Sequence, residues 1–259
     1  MDSAFEEEIK EKLSGLSLKD VVRFAWICAV RSLPFLGTMG HFAFWDEIRF
    51  NSQINLLFTL RALDTASAAC AVSAHDIAEI IFDAGDAGAN AVTYAAAVYA
   101  TDVAAFAVQV RSDADATIRY SFCSAVVYII RRAVSANGYA VVGSAFGLEG
   151  KAHADIPSSR KIQPVLLNDL ETLKAGYRIF SSDITVYGEI WHNFQKALRD
   201  INCEYWGDWY EKLFAKGFLL DDENKAEIKL RLNAPEEILS QGAATVARYV
   251  MEQKKQGKI

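Results

Sequence analysis

The chain offers few side chains that could do chemistry. Histidine occurs only at His41, His75, His153 and His192. The suggestive arrangement is His75-Asp76, with His41 upstream and Asp102 downstream. A histidine, an adjacent His-Asp pair and a distant aspartate can hold a metal ion that activates water. Against that chemistry, the chain shows no second cluster of histidines and no basic phosphate clamp. Asp102 lies within an alanine-rich run with no adjacent ligand. The pair therefore reads as a helix cap or a surface pair, with the metal site as the competing reading. The glycines between Gly138 and Gly150 form neither GxGxxG nor GxxxxGK[ST], and GxSxG is absent, so phosphate cradles and a nucleophile elbow are not expected. Cys28, Cys70, Cys123 and Cys203 are far apart, form no CxxC pair and sit among apolar neighbours on predicted helices. Buried free thiols in a reducing compartment are expected rather than a metal site. No catalytic residue, cofactor or metal ligand is assigned.

The elements around these residues read as helices. Between Ala87 and Ala107, ten of 21 residues are alanine, the best helix former, and no proline interrupts them. Val92, Tyr99, Val103, Phe106 and Val110 form one stripe, and Asp102 is the only charge between Asp86 and Arg111. A helix over 86–111 without a charged back belongs in the middle of a fold. The next helix, over 113–136, has two apolar faces. Ile118, Phe122, Ala125 and Ile129 line one, and Cys123, Val127, Ile130 and Val134 the other, until Asn137-Gly138 stops it. The expected architecture is an all-α multi-helix bundle around this central alanine-rich pair. One domain spans 1–259, with a possible C-terminal helical subdomain at 187–259.

Outside that pair, residues 2–14 read as a short amphipathic helix stopped by Gly15. Ser17 caps a second helix, with Asp20 in capping-box position. It runs to about Leu33 and is ended or kinked by Pro34. Gly37, Gly40, Phe42, Phe44 and Trp45 suggest a packed turn, followed by helix from about Asp46 to Ala71 and a short one over 74–82. Residues 139–157 carry no period and read as a loop. Helix returns from Ser158 to Ala175, with Gly176 at its C-cap, and 177–186 is a loop or an isolated strand. Ile190, Phe194, Ala197 and Ile201 make one stripe. Cys203, Trp206, Trp209, Tyr210 and Leu213 make the next, closed by Gly217. Trp206, Trp209 and Tyr210 could stack a ligand, but at helical spacing they read as core. Asn233, Pro235 and Glu236 start a final helix to about Gln253.

Charge narrows the function classes. With 27 basic and 33 acidic residues the net charge is -6, which argues against nucleic-acid binding. No segment reaches the roughly 18 uncharged apolar residues that suggest a membrane span. The start, MDSAFEEEIKEKL, is the reverse of a signal peptide, so a cytoplasmic location is expected. The acidic runs Glu6-Glu7-Glu8 and Asp221-Asp222-Glu223 read as solvated faces or helix starts, with a partner-facing patch as the sharper alternative.

Three stretches resemble known families. AHDIAEI, at residues 74–80, is similar to the local setting of the His-Asp pair in HD-type metal-dependent phosphohydrolases. FAWICAVRSLPFL, at residues 24–36, is similar to the helix that opens many bacterial immunity-type proteins, and residues 86–136 fit the alanine-rich second and third helices of those all-helical proteins. YWGDWYEKLFAKG, followed by APEEILSQGAATVARYV, resembles a C-terminal region of uncharacterised proteobacterial proteins. Trp206, Trp209, Tyr210, Leu213, Gly217, Pro235, Gln241, Gly242, Ala243 and Val246 match that pattern, and Ile238 replaces its usual tryptophan. The immunity-type resemblance implies a helical, non-enzymatic protein of a bacterial conflict system that occludes a cognate toxin. The competing expectations are the HD-like hydrolase and a scaffold or sensor subunit of a defence system. Loops vary while cores pack, so partner-binding residues are expected in 139–157, at Glu149, Lys151, His153 and Asp155. The acidic turn Asp221, Asp222 and Glu223 is the second candidate, because acidic groups speed encounter with a basic toxin.

Overall fold

A computed structural model describes residues 3–37, 40, 42, 52–71 and 156–257. About 75 % of these residues are helical, in nine α-helices with no strand among them, in agreement with the all-α expectation. In order they are α1 (Ser3–Ser14), α2 (Leu18–Ser32), α3 (Ser52–Ala71), α4 (Ile156–Lys174), α5 (Glu189–Asp200), α6 (Glu204–Ala215), α7 (Asp222–Leu232), α8 (Glu236–Leu239) and α9 (Ala243–Lys255). Short 3-10 turns cover Leu33–Gly37 and Ile184–Val186. The alanine-rich pair at 86–111 and 113–136 lies outside the described residues, as do His41, His75, Asp76, Asp102 and the 139–155 part of the expected loop.

Local signals set the ends of the elements. Ser17 caps α2 by accepting from the Asp20 amide, and its hydroxyl donates to the Asp20 carboxylate. Gly176, at φ +77°, ends α4: its own amide bonds Leu173, and the Tyr177 amide bonds Thr172. Three expected boundaries are corrected. Helix α4 starts at Ile156 rather than Ser158. Cys203 is the residue before α6 rather than part of a helix. The expected final helix is two, α8 and α9, broken at Gly242. The reason is steric: Gly242 has φ +93°, and a Cβ there would lie 2.6 Å from the Gln53 Cβ. Gln53 occupies that space because it clasps three segments. Its amide nitrogen donates to the Ile201 carbonyl, and its oxygen accepts from the Ala244 amide at 2.8 Å and from the Cys203 thiol.

Among the described residues α3 is the hub, packed against α2, α7 and α9. Its sequence explains this. Leu56, Leu57, Leu60, Leu63 and Ala66 are buried, and so are the polar Thr59, Asp64, Thr65 and Ser67. A helix buried around most of its circumference has neighbours on several sides. The Trp26 indole of α2 donates to the Leu63 carbonyl of α3 at 3.1 Å, and the Trp206 indole of α6 donates to the Ala243 carbonyl of α9 at 3.1 Å. One apolar cluster runs from Ile9 to Ala247 through all of these helices, with Phe24, Phe194, Trp206, Phe214 and Phe218 fully buried in it. Gly37 lets the first 3-10 turn sit directly on α5, where an added Cβ would lie 2.8 Å from the Phe194 Cα. The cysteines within this core, Cys28 and Cys203, are free thiols, and burial pushes the Cys203 thiol up to about 12.

Gly242→Ala should lower stability by about 1–3 kcal/mol, because it places a side chain at a left-handed backbone and against Gln53. Urea unfolding of the two proteins, followed by circular dichroism, measures the difference.

Candidate functional site

Two buried guanidinium–carboxylate pairs organise the described residues. Arg31 of α2 meets Asp169 of α4 with both side chains fully buried. Its Nε donates to one carboxylate oxygen and its Nη2 to the other at 2.9 Å. Arg231 of α7 meets Asp64 of α3 in the same two-pronged way, at 2.7 and 2.6 Å. Burial pushes both aspartates above the ordinary carboxylate value, and the facing guanidinium pulls each part of the way back. Aromatic rings cover what the carboxylates leave. Arg31 lies over Phe218 at 4.6 Å, and Arg231 lies between Trp209 at 4.3 Å and Trp206 at 4.9 Å.

The Arg31–Asp169 pair does more than join α2 to α4. Arg31 Nη2 also donates to the Ser181 carbonyl at 2.7 Å, and Asp169 accepts from the Ser181 amide at 3.1 Å. The segment after α4 is thus pinned at Ser181, next to the buried Phe180. The turn after α6 is pinned by Phe218, whose ring rests on the same Arg31. Phe218 is held at φ +58°, a left-handed conformation that a bulky residue adopts only under constraint. The two segments then meet through Gly217, whose carbonyl accepts from the Phe180 amide. A Cβ on Gly217 would collide with Phe180.

What this arrangement presents outward is apolar. Tyr177 and Ile179 are each 70 % exposed and Leu219 is 41 % exposed, although Phe180 and Phe218, adjacent to Ile179 and Leu219, are buried in the core. These three large apolar side chains come from two segments that touch at Gly217, and they are referred to together as the patch. The acidic turn follows directly. Asp221 is the N-cap of α7, accepting from the Asn224 amide at 2.8 Å while the Asn224 side chain accepts from the Asp221 amide. It also pairs with Lys216 at 2.6 Å, and that hydrogen bond holds its carboxyl below the ordinary value. Glu223 is likewise held low by Lys254. Asp222 is fully exposed and touches only Lys225, one turn along. Of the sequence candidates, Asp221, Asp222 and Glu223 follow Leu219 closely in the chain, with Asp222 fully exposed and Glu223 lining the groove described next. Glu149, Lys151, His153 and Asp155 lie outside the described residues.

A second feature is a groove of about 640 Å³ between α6, α7 and α9, lined in its depth by Tyr205, Trp209 and Glu227. The Tyr205 hydroxyl accepts from Arg231 at 3.0 Å and donates to Glu227 at 2.6 Å, and the other Glu227 oxygen accepts from Lys254. Burial holds the Tyr205 phenol well above its ordinary value. Tyr205, Glu227, Arg231 and Lys254 thus form one continuous hydrogen-bonded series along the groove. Among the described residues there is no group of three or more His, Cys, Asp or Glu side chains placed to hold a metal ion, and no helix long and apolar enough to cross a membrane. The tryptophan–tyrosine cluster packs as expected of core: Trp206 and Tyr210 are buried, and Trp209 is 5 % exposed beneath Arg231. Sequence reasoning missed the patch residues Tyr177, Ile179 and Leu219. The one local hint was the apolar run Phe218-Leu219-Leu220 after Gly217, without a periodic element to bury it.

No protein-family model, no curated protein and no solved structure matches the chain.

Asp169→Ala should cost about 3–5 kcal/mol in urea unfolding, because it leaves the Arg31 charge buried and unpaired. The double replacement Arg31→Met/Asp169→Leu should recover most of that loss, since apolar groups of similar volume carry no such penalty.

Proposed function

We propose that the chain is a non-catalytic protein-binding protein of the immunity type, which neutralises a cognate bacterial toxin by occluding it. The observation that carries the reading is the exposed apolar patch Tyr177, Ile179 and Leu219 on a backbone pinned by a buried ion pair. Holding Phe218 left-handed costs about 1–2 kcal/mol. Showing tyrosine and isoleucine to water adds no packing within the chain. Both costs become useful when a partner covers the patch, because a surface fixed before binding loses little freedom on binding.

The charges around the patch suit the same role. Asp222 is free to face a partner, and Asp221 and Glu223 stay ionised well into acid. An acidic rim speeds encounter with a basic toxin, while the apolar centre holds it. The groove behind α6 supports a binding rather than a catalytic reading, since Tyr205 and Glu227 spend their hydrogen bonds on Arg231 and Lys254.

The test is co-expression with the product of the adjacent toxin gene. Wild type should rescue growth and form a stable complex. Tyr177→Ser/Ile179→Ser/Leu219→Ser should abolish rescue while the circular dichroism spectrum and melting temperature stay close to wild type. Asp222→Lys should slow association and leave dissociation nearly unchanged. Rescue that survives the triple replacement removes the patch from the interface, and absence of both rescue and complex for wild type removes the immunity reading.

A further inference from the structure

The outward face of α6 carries its charges in a polar order. Glu204 and Asp208 occupy its first two turns, and Lys212 and Lys216 lie at its last turn and just beyond, all exposed and four residues apart. Asp221 and Asn224 set the end of this face through Lys216. Glu204, Asp208 and Lys212, by contrast, make no ion pair among the described residues. The helix dipole favours acids first and bases last. It does not account for the setting of the face, which lies open beside the groove, with Met251 41 % exposed on the opposite wall and Ala247 next to it.

A face written acid-acid-base-base is its own complement when reversed. We propose that α6 pairs antiparallel with α6 of a second copy, about a two-fold axis level with residue 210. That register sets Glu204 against Lys216 of the second copy and Asp208 against Lys212, and the symmetry repeats both pairs, giving four in all. It also sets the small, exposed Ala215 of one copy over Tyr205 of the other, so the helices can approach closely. The lysine stems of the second copy then lie along Ala247 and Met251 in the groove, burying methylenes while their charges meet the acids. The second copy is favoured over an unrelated partner because one sequence supplies both halves of the charge pattern. This pairing needs no toxin, and it shares Lys216 with the Asp221 pair of the acidic turn.

Sedimentation velocity of the full chain tests it. Wild type should dimerise reversibly at concentrations up to about 1 mM, with an association constant falling about tenfold or more between low and high salt. Lys212→Glu/Lys216→Glu and Glu204→Lys/Asp208→Lys should each be monomeric, because every pair becomes a repulsion. An equimolar mixture of the two should form a heterodimer, since each variant restores the pairs the other lost. Asp208→Asn and Lys212→Gln, which neutralise without repelling, should each weaken the wild-type dimer and so serve if a reversal fails to fold. A wild type that stays monomeric throughout overturns the proposal. So does a dimer indifferent to salt and to the neutral variants, or reversed variants that do not pair with each other.

Discussion

A guanidinium and a carboxylate, both without contact with water, set the terms for the rest of the described structure. Removing Arg31 and Asp169 from water costs several kcal/mol per ion, and well-aimed hydrogen bonding between them offsets much of that. The offset requires Asp169 to keep its two oxygens on Arg31 and the Ser181 amide, and Arg31 to keep the Ser181 carbonyl and the Phe218 ring. Four segments distant in sequence are therefore fixed by one demand. Arg231 and Asp64 impose a parallel demand on α3, α6 and α7, with Trp206 and Trp209 as the covering rings and Tyr205 as a further acceptor. Apolar packing supplies most of the stability, but it is tolerant of small shifts. The ion pairs are not, and they give the fold its registration.

Function follows from what such registration leaves on the surface. A turn with two consecutive left-handed residues, Gly217 and Phe218, would relax if its anchor moved. With the anchor in place it keeps the Gly217 turn against the Phe180 segment, with Leu219, Tyr177 and Ile179 exposed and the α7 cap following in the chain. On the proposed reading these side chains form a small binding surface, apolar at the centre and charged at the rim. In the groove beside α6, Tyr205 and Glu227 are hydrogen-bonded to each other and to Arg231 and Lys254.

The helices that bury an apolar stripe were legible in the sequence. α5 follows the Ile190, Phe194 and Ala197 spacing, although Ile201 caps it rather than lying within it and Leu198 is buried in its place, α6 follows the Trp206, Trp209, Tyr210 and Leu213 spacing, and α2 follows its Ser17 cap. α7 was not, because it buries Asn224, Glu227 and Arg231 while its apolar residues Ala226, Ile228, Leu230 and Leu232 alternate, a period that suits a strand. The break at Gly242 was hidden because its cause, the Gln53 side chain, stands 189 positions earlier. The same holds for the ion pairs: Arg31 is 138 positions from Asp169, and Asp64 is 167 from Arg231. No local pattern announces a partner at that distance. Of the candidate site, the acidic turn was visible as a charge run. The patch was not, since its identity as a patch depends on two loops meeting at one glycine.

The central claim is that the Arg31–Asp169 pair holds the patch. Hydrogen exchange on Asp169→Asn, set against wild type under native conditions, tests it residue by residue. The amides of Phe180, Ser181 and Phe218 should lose at least about tenfold in protection, and those in the middle of α6 should lose far less. Equal losses along α6 and the two patch segments, or unchanged protection at Phe180, Ser181 and Phe218, would contradict it.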